Sequence, residues 1–242
     1  MKSNLVLPIT IVVAGALIAG AVFWAGKSGT TNPNGANPGA PIKAVAYDPA
    51  NDHVLGNPNA PVKVIEYMDL ECPHCKAFNT TLHQVMDYYG STGKVAWVTR
   101  NFPLAQIHSK APEEAQAAEC AAAQGGDAEY YKYIDDVFAT TPSDNGLDLA
   151  QLPAIAQKHG LDVTKFNQCV SSGQFSKLVN DQYNQAIAAG GQGTPYILIT
   201  VGTDAVALSG DQPYDSMRAA IDAVLANLPA SATQNTGTTT GR

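Results

Sequence analysis

The amino-acid sequence predicts an α/β fold that consists of a β-α-β unit, a block of helices, and then a β-hairpin with a closing helix, all behind an N-terminal transmembrane helix. Strand patterns fall in two groups, near residues 62–101 and 196–208. Between them lies a long stretch rich in Ala, Gln, Glu and Lys that has no strand character, and an uncharged apolar run opens the chain. We therefore expect one sheet built from both strand groups, with the helices inserted between them.

The opening run is the first element. No charged residue occurs from Ser3 to Gly26, and Leu5 to Ala25 has about the 20 residues that cross a bilayer as a helix. The run exceeds the roughly 7 to 15 apolar residues of a signal peptide and lacks a clean cleavage site, which favours an uncleaved anchor over residues 1–26. A cleaved secretory signal is the alternative. Either one places the rest of the chain outside the cytoplasm, and the anchor predicts single-pass attachment to the cell membrane.

The composition of the remaining residues separates a linker, a compact domain and a C-terminal tail. Gly, Ser, Thr, Asn and Pro dominate residues 27–51 and 229–242, which predicts a flexible linker and a disordered tail. Residues 52–228 are enough for one compact domain. The net charge of -7 argues against nucleic-acid binding, because little basic surface is left to neutralise phosphates.

The first strand and helix meet at a pair of cysteines. Val62 to Met68 is β-branched and apolar and predicts a buried strand. It leads into Cys72-Pro73-His74-Cys75, after which apolar residues at helical spacing continue to Tyr89. We therefore expect both cysteines in the first turn of a helix.

The later elements follow the same patterns. A second strand is predicted over about 94–101, and four or five helices over about 109–190. Two strands, 196–201 and 205–208, read as a hairpin around residues 202–204, and a closing helix follows.

The Cys72–Cys75 pair is suited to reaction rather than to bracing the chain. A loop this short gains little stability from closure. At a helix start, Cys72 faces unpaired amides and the positive end of the helix dipole, which favour a thiolate, and His74 could add to the effect. Zinc binding is the alternative, but it normally needs a second ligand pair of suitable spacing, so we expect no metal.

The other two cysteines, Cys120 and Cys169, both fall in the helical block. If bridged, they would close a loop of about 50 residues, worth about 4 kcal/mol, which suits a structural disulfide. Free buried thiols or an auxiliary redox role are the alternatives.

These residues resemble the DsbA-type thiol-disulfide oxidoreductases of the thioredoxin superfamily. The resemblance covers about residues 52–228 and includes the lead-in from His53 to Val62, the Cys-Pro-His-Cys motif, residues 100–104 and Gly193-Thr194-Pro195-Tyr196. It implies a thioredoxin-like fold with a helical insertion.

The resemblance also implies roles for single residues. Cys72 would be the exposed thiol attacked by substrate, and Cys75 its buried partner. Pro195 matches a cis-proline, with Thr194 pairing to an extended substrate; an ordinary trans proline is the alternative. Glu66 matches a buried carboxylate that moves protons to and from Cys75, unless it faces solvent.

Two further expectations concern charge. Glu71, directly before Cys72, would oppose thiolate formation there. The remaining histidines, which lack metal-site spacing, are expected to be surface or partly buried polar residues: His53, His83, His108 and His159.

Together these features predict a monomeric, membrane-tethered oxidase that introduces disulfides into reduced exported proteins and needs no cofactor. The family implies a quinone-linked membrane partner of the DsbB or VKOR type that reoxidises it. A disulfide isomerase or reductase of the same fold is one alternative. A non-enzymatic thiol module for metal binding or chaperone work is another.

Overall fold

A computed structural model describes residues 42–228. The predicted anchor, most of the linker and the predicted tail lie outside the described residues. None of the helices between residues 42 and 228 is both long and apolar enough to cross a bilayer.

Six strands form one sheet in the order β1-β6-β5-β3-β4-β2. Only β3 and β4 run parallel among these pairs, and the other neighbours are antiparallel. The strands are β1 (Ile42–Lys43), β2 (His53–Gly56), β3 (Val62–Met68), β4 (Val95–Asn101), β5 (Tyr196–Val201) and β6 (Asp204–Ser209). The most buried strands, β3 and β4, thus lie inside the sheet, where continuous apolar runs belong.

Six α-helices and a 3-10 turn accompany the sheet in the described part. They are α1 (Pro73–Tyr89), the 3-10 turn (Gly90–Thr92), α2 (Ala111–Thr140), α3 (Gln151–Lys158), α4 (Val163–Ser172), α5 (Ser176–Ala188) and α6 (Tyr214–Ala226). The insertion α2–α5 follows β4 and ends before β5, so the expected thioredoxin-like α/β fold with a helical insertion is confirmed.

Apolar residues fill both faces of the sheet. Val62, Val64 and Met68 of β3 belong to a core that also includes residues of α1, α6 and the insertion. Ile65 and Tyr67, which alternate with them, belong to a second core shared with α5. Strand alternation therefore directs Glu66 into the first core, beneath α1.

Two local differences from the sequence prediction, one at strand β2 and one at the hairpin turn, have physical causes. Strand β2 was not predicted, because its four residues gain their regularity from antiparallel pairing with β4. The break in helix α2 at Gly126, by contrast, lies where the two glycines at 125 and 126 predict an interruption, and its φ of 70° and ψ of -164° are adopted easily only by glycine. The hairpin turn is one residue shorter than predicted, since Asp204 already pairs with Val201.

The end of the predicted linker packs on the domain. Ile42–Lys43 pairs with β6. The buried Arg100 guanidinium donates to the Asp52 carboxylate at 2.7 Å and to the carbonyls of Val45 and Ala46 at 3.1 and 2.9 Å. These bonds fix residues 45–52 against β4, which composition alone does not indicate.

Candidate active site

The two free thiols lie where β3 passes into α1. Cys72 is the N-cap of α1, and Pro73 occupies the first turn, where its missing N–H costs nothing. Cys75 follows within the same turn. Neither cysteine takes part in a disulfide in this structure. The sequence of this turn therefore holds the Cys72 sulfur at a helix N-terminus, next to unpaired amides.

Cys72 is more enclosed than the resemblance implies. The residue is 5% exposed and Cys75 is fully buried. The Cys72 Sγ lies 3.4 Å from the carbonyl oxygen of Thr194, in the loop between α5 and β5. The Thr194–Pro195 peptide bond in this loop is cis. The expectation of an exposed Cys72 thiol is therefore not met in this structure, in which the residue is buried and its sulfur contacts the Thr194 carbonyl.

The two thiols differ in acidity. A hydrogen bond from Cys75 lowers the pKa of Cys72 to about 6, against the opposing effect of burial, and the main-chain amides of Cys75 and His74 add to the lowering. Burial raises the pKa of Cys75 well above its usual value, and the hydrogen bond and charge of Cys72 raise it further. Near neutral pH the pair therefore holds one thiolate, on Cys72.

Glu66 lies beneath this pair. It is 1% exposed, so its carboxyl group does not face solvent. Trp97 Nε1 donates to its Oε2 at 3.1 Å. Burial raises the pKa of Glu66 to about 8, the Trp97 hydrogen bond acts in the opposite direction, and the charge on Cys72 raises it further. A buried acid with this pKa can exchange a proton at neutral pH.

The His74 side chain pairs with Asp211 and not, as its position in the motif suggests, with Cys72. Its imidazole is largely exposed, and Nδ1 lies 3.1 Å from the Asp211 carboxylate in the loop after β6. The contribution of His74 to Cys72 is thus made by its main-chain amide.

Glu71 was expected to oppose formation of the Cys72 thiolate, but its side chain interacts with another carboxyl group. Its side chain is fully buried and meets the equally buried Glu114 of α2. Burial raises the pKa of Glu114 to about 9, and the hydrogen bond with Glu71 raises it further. The expected suppression of the Cys72 thiolate by Glu71 does not prevail, because the pKa of Cys72 is lowered.

Sequence reasoning missed a second buried pair beside the thiols. His108, between β4 and α2, donates its Nδ1–H to the Asp69 carboxylate at 2.9 Å. Asp69 comes three residues before Cys72. The two partners are 39 residues apart, and no periodicity in the sequence links them.

The insertion is closed by a disulfide between Cys120 of α2 and Cys169 of α4, with the Cα atoms 5.9 Å apart. The other histidines pair with carboxylates: His53 with Glu119 and Asp127, His83 with Asp135, and His159 with Glu129 and Asp136. Within residues 42–228, no group of three or more His, Cys, Asp and Glu side chains is arranged to hold a metal ion.

Known proteins resemble this chain in sequence. The family model described as Thioredoxin matches residues 49–223. The Na(+)/H(+) antiporter NhaA 1 of Mycolicibacterium gilvum is 32% identical over 154 residues, which cover 63% of this chain and 24% of that protein. NhaA 3 of Salinispora tropica is 31% identical over 165 residues, which cover 68% and 24%. The chain thus spans about a quarter of the length of these curated relatives.

Solved structures resemble it in fold. Pseudomonas aeruginosa DsbA2 aligns with a TM-score of 0.59 and 28% identity, over 71% of this chain and 93% of that one. Wolbachia pipientis alpha-DsbA1 aligns with a TM-score of 0.62 and 26% identity, over 76% and 93%. Oxidised BdbD from Bacillus subtilis, at 20% identity, shares the fold with a TM-score of 0.65 over 77% and 98%.

Proposed function

The chain belongs to the thioredoxin family, and from this premise we propose that it is a DsbA-like protein-disulfide oxidoreductase that works outside the cytoplasm as an oxidase. It introduces disulfides into reduced exported proteins through Cys72 and Cys75. One observation carries the proposal: the pKa of Cys72 is lowered to about 6 while that of Cys75 is raised. A stabilised Cys72 thiolate favours the reduced enzyme, and an enzyme that is stable when reduced is a strong oxidant.

The reaction begins with the oxidised enzyme, in which Cys72 and Cys75 form a disulfide. A substrate thiolate attacks the Cys72 sulfur, a substrate–Cys72 disulfide forms, and the Cys72–Cys75 bond breaks. Cys75 leaves with the electron pair. Because burial raises its pKa, Cys75 takes up a proton, and Glu66 is the buried acid placed to give it. Glu66 then recovers a proton from solvent.

The second step releases the product. A second substrate thiolate attacks the substrate sulfur of the mixed disulfide, and Cys72 leaves as a thiolate. Its lowered pKa makes it a good leaving group. The substrate has lost two electrons and gained a disulfide, and the enzyme holds these electrons as the Cys72–Cys75 dithiol. During both steps the main chain of Thr194, before Pro195, pairs with the extended substrate.

The proposal extends to the surroundings of the enzyme. A quinone-linked membrane protein of the DsbB or VKOR type reoxidises the dithiol. Residues 1–26 anchor the chain to the cell membrane with a single span, and the linker residues before Ile42 tether the catalytic domain outside the cytoplasm. The charge-free apolar run at the N-terminus supports the anchor. The Cys120–Cys169 disulfide braces the helical insertion.

A single-turnover assay tests the oxidase activity. The full-length chain is solubilised in detergent. Its oxidised form is mixed with a reduced dithiol peptide, and in a separate reaction its reduced form is mixed with a protein carrying scrambled disulfides. We expect one mole of oxidised peptide per mole of enzyme, little rearrangement of the scrambled protein, and no peptide oxidation by Cys72→Ser. Rearrangement without net oxidation of the peptide would identify an isomerase and overturn the proposal.

A further inference from the structure

The buried imidazole of His108 lies beside the active-site turn rather than on the surface. The residue is 5% exposed. Its Nδ1 is 2.9 Å from Asp69 Oδ2, and its Nε2 faces Asp144 Oδ1 at 3.6 Å. Two carboxylates on two different loops therefore flank one ring, which favours the protonated imidazolium.

Asp69 connects this ring to both cysteines. Its carboxylate accepts the main-chain N–H of Glu71 and that of Leu104, each at 2.8 Å. Its carbonyl accepts the N–H of Cys72 at 3.1 Å, and its own N–H lies 3.5 Å from Cys75 Sγ. Any shift of the His108–Asp69 pair is thereby passed to the turn that carries the reacting sulfur.

His108 also interacts with the charge on Cys72. Burial lowers the pKa of His108, but the hydrogen bond with Asp69 and the charges of Asp69, Cys72 and Asp144 raise it, and the net direction is upward. His74, by contrast, is largely exposed and paired with Asp211. His108 is thus a buried imidazole, and the low polarity of its surroundings strengthens its electrostatic interaction with the Cys72 thiolate.

The other charged groups next to this site interact among themselves. The charges of Glu71 and Asp69 raise the pKa of Glu114, while Lys110 lowers it. The Lys110 ammonium donates to the carbonyl of Leu147. These groups lie on the turn before Cys72 and on the first turn of α2, and in the variants below they stay unchanged.

We propose that His108, held in place by Asp69, is a positioning residue whose positive charge stabilises the Cys72 thiolate and so strengthens the oxidised enzyme as an oxidant. The inference rests on the proposed function, because it explains what sets the oxidising strength of the Cys72–Cys75 pair. Cys72 remains the reacting group, and His108 acts on it through space and through the Asp69 turn. An opposite charge at close range lowers a thiol pKa by about one unit or more, which is about a tenfold change in the ratio of thiolate to thiol at a fixed pH.

The test compares His108→Gln with the wild-type chain, both full-length in detergent. The Cys72 thiolate is titrated by its absorbance near 240 nm, and the dithiol is equilibrated against glutathione. We expect the thiolate titration to move upward in pH and the equilibrium constant for oxidising glutathione to fall about tenfold. His159→Gln is the matched control, since His159 also sits between two carboxylates, Glu129 and Asp136, and it should change neither quantity.

A measurement on the unmodified chain covers the case in which His108→Gln folds poorly. The pKa of the His108 ring is followed by NMR in the reduced and the oxidised protein, and we expect a higher value in the reduced one, where the thiolate is present. Equal values in the two redox states, or an unchanged thiolate titration in a folded His108→Gln protein, would overturn the inference. The comparison is relative, so it holds whether the wild type proves to be an oxidant or a reductant.

Discussion

Replacing Glu114 by glutamine should stabilise the protein by an amount that grows with pH. Glu114 and Glu71 are fully buried, and none of their four carboxyl oxygens has a hydrogen-bond partner among the described residues if both are ionised. Two carboxyl groups in contact avoid repulsion by sharing a proton, which explains why burial and this contact raise the pKa of Glu114 to about 9. Glutamine keeps the shape and the donor of the protonated acid.

The magnitude follows from linkage. Between pH 4.5, the ordinary pKa of the side chain, and about pH 9, the folded protein binds one more proton at Glu114 than the unfolded chain does. Stability therefore falls as pH rises through this window, by about 1.4 kcal/mol per pH unit. At pH 7 the accumulated loss is about 3 kcal/mol, and a glutamine, which does not titrate, avoids it.

Urea unfolding followed by circular dichroism at several pH values measures this difference. Glu114→Gln should exceed the wild type in free energy of unfolding by about 3 kcal/mol at pH 7 and by little near pH 4.5. The control is Glu113→Gln, an exposed neighbour whose substitution should change stability by less than about 0.5 kcal/mol. A difference between Glu114→Gln and wild type that is constant with pH, or a destabilised variant at pH 7, would refute the shared proton.

Three further outcomes are expected. In the reduced protein, iodoacetamide should alkylate Cys72 with a half-maximal rate near pH 6, because the pKa of that thiol is lowered, and should leave Cys75 unmodified. A midpoint above pH 8 would contradict the lowered pKa of Cys72. Glu66→Gln should slow oxidation of a dithiol peptide by roughly a hundredfold or more in stopped-flow experiments and remove a titration near pH 8 from the rate profile. An unchanged profile would exclude Glu66 from proton transfer. The double variant Cys120→Ala, Cys169→Ala should lose about 4 kcal/mol of unfolding free energy, and no loss would show that the disulfide does not brace the insertion.

Local patterns were enough to predict most of the fold. The strand Val62–Met68 and the helix that ends at Tyr89 have clear periodicities, and the structure places them at these positions. The short strand β2 and the packing of residues 45–52 depend on distant partners, chiefly β4 and Arg100. A four-residue segment has no periodicity long enough to reveal such pairing.

The features of the active site also fall into those that a contiguous motif predicts and those that depend on residues distant in the sequence. The Cys-Pro-His-Cys motif is contiguous, so its residues and their helix could be located from the sequence. The pairs His74–Asp211 and Asp69–His108 join residues 137 and 39 positions apart, and each arises only when segments that follow different strands come together in the folded sheet. Glu71 was expected to oppose the Cys72 thiolate with its negative charge, yet its side chain pairs with Glu114, a contact that sequence position alone could not indicate.

The reduction potential of the Cys72–Cys75 pair tests the central claim most directly. The full-length chain is equilibrated with glutathione mixtures of known ratio, and the fraction of free thiol is measured after acid quenching and alkylation. A thiolate stabilised on Cys72 predicts a potential near about -120 mV, in the range of strong dithiol oxidants. A value near about -270 mV would mean that the reduced pair gains no such stabilisation, and that the protein serves as a reductant instead of an oxidase.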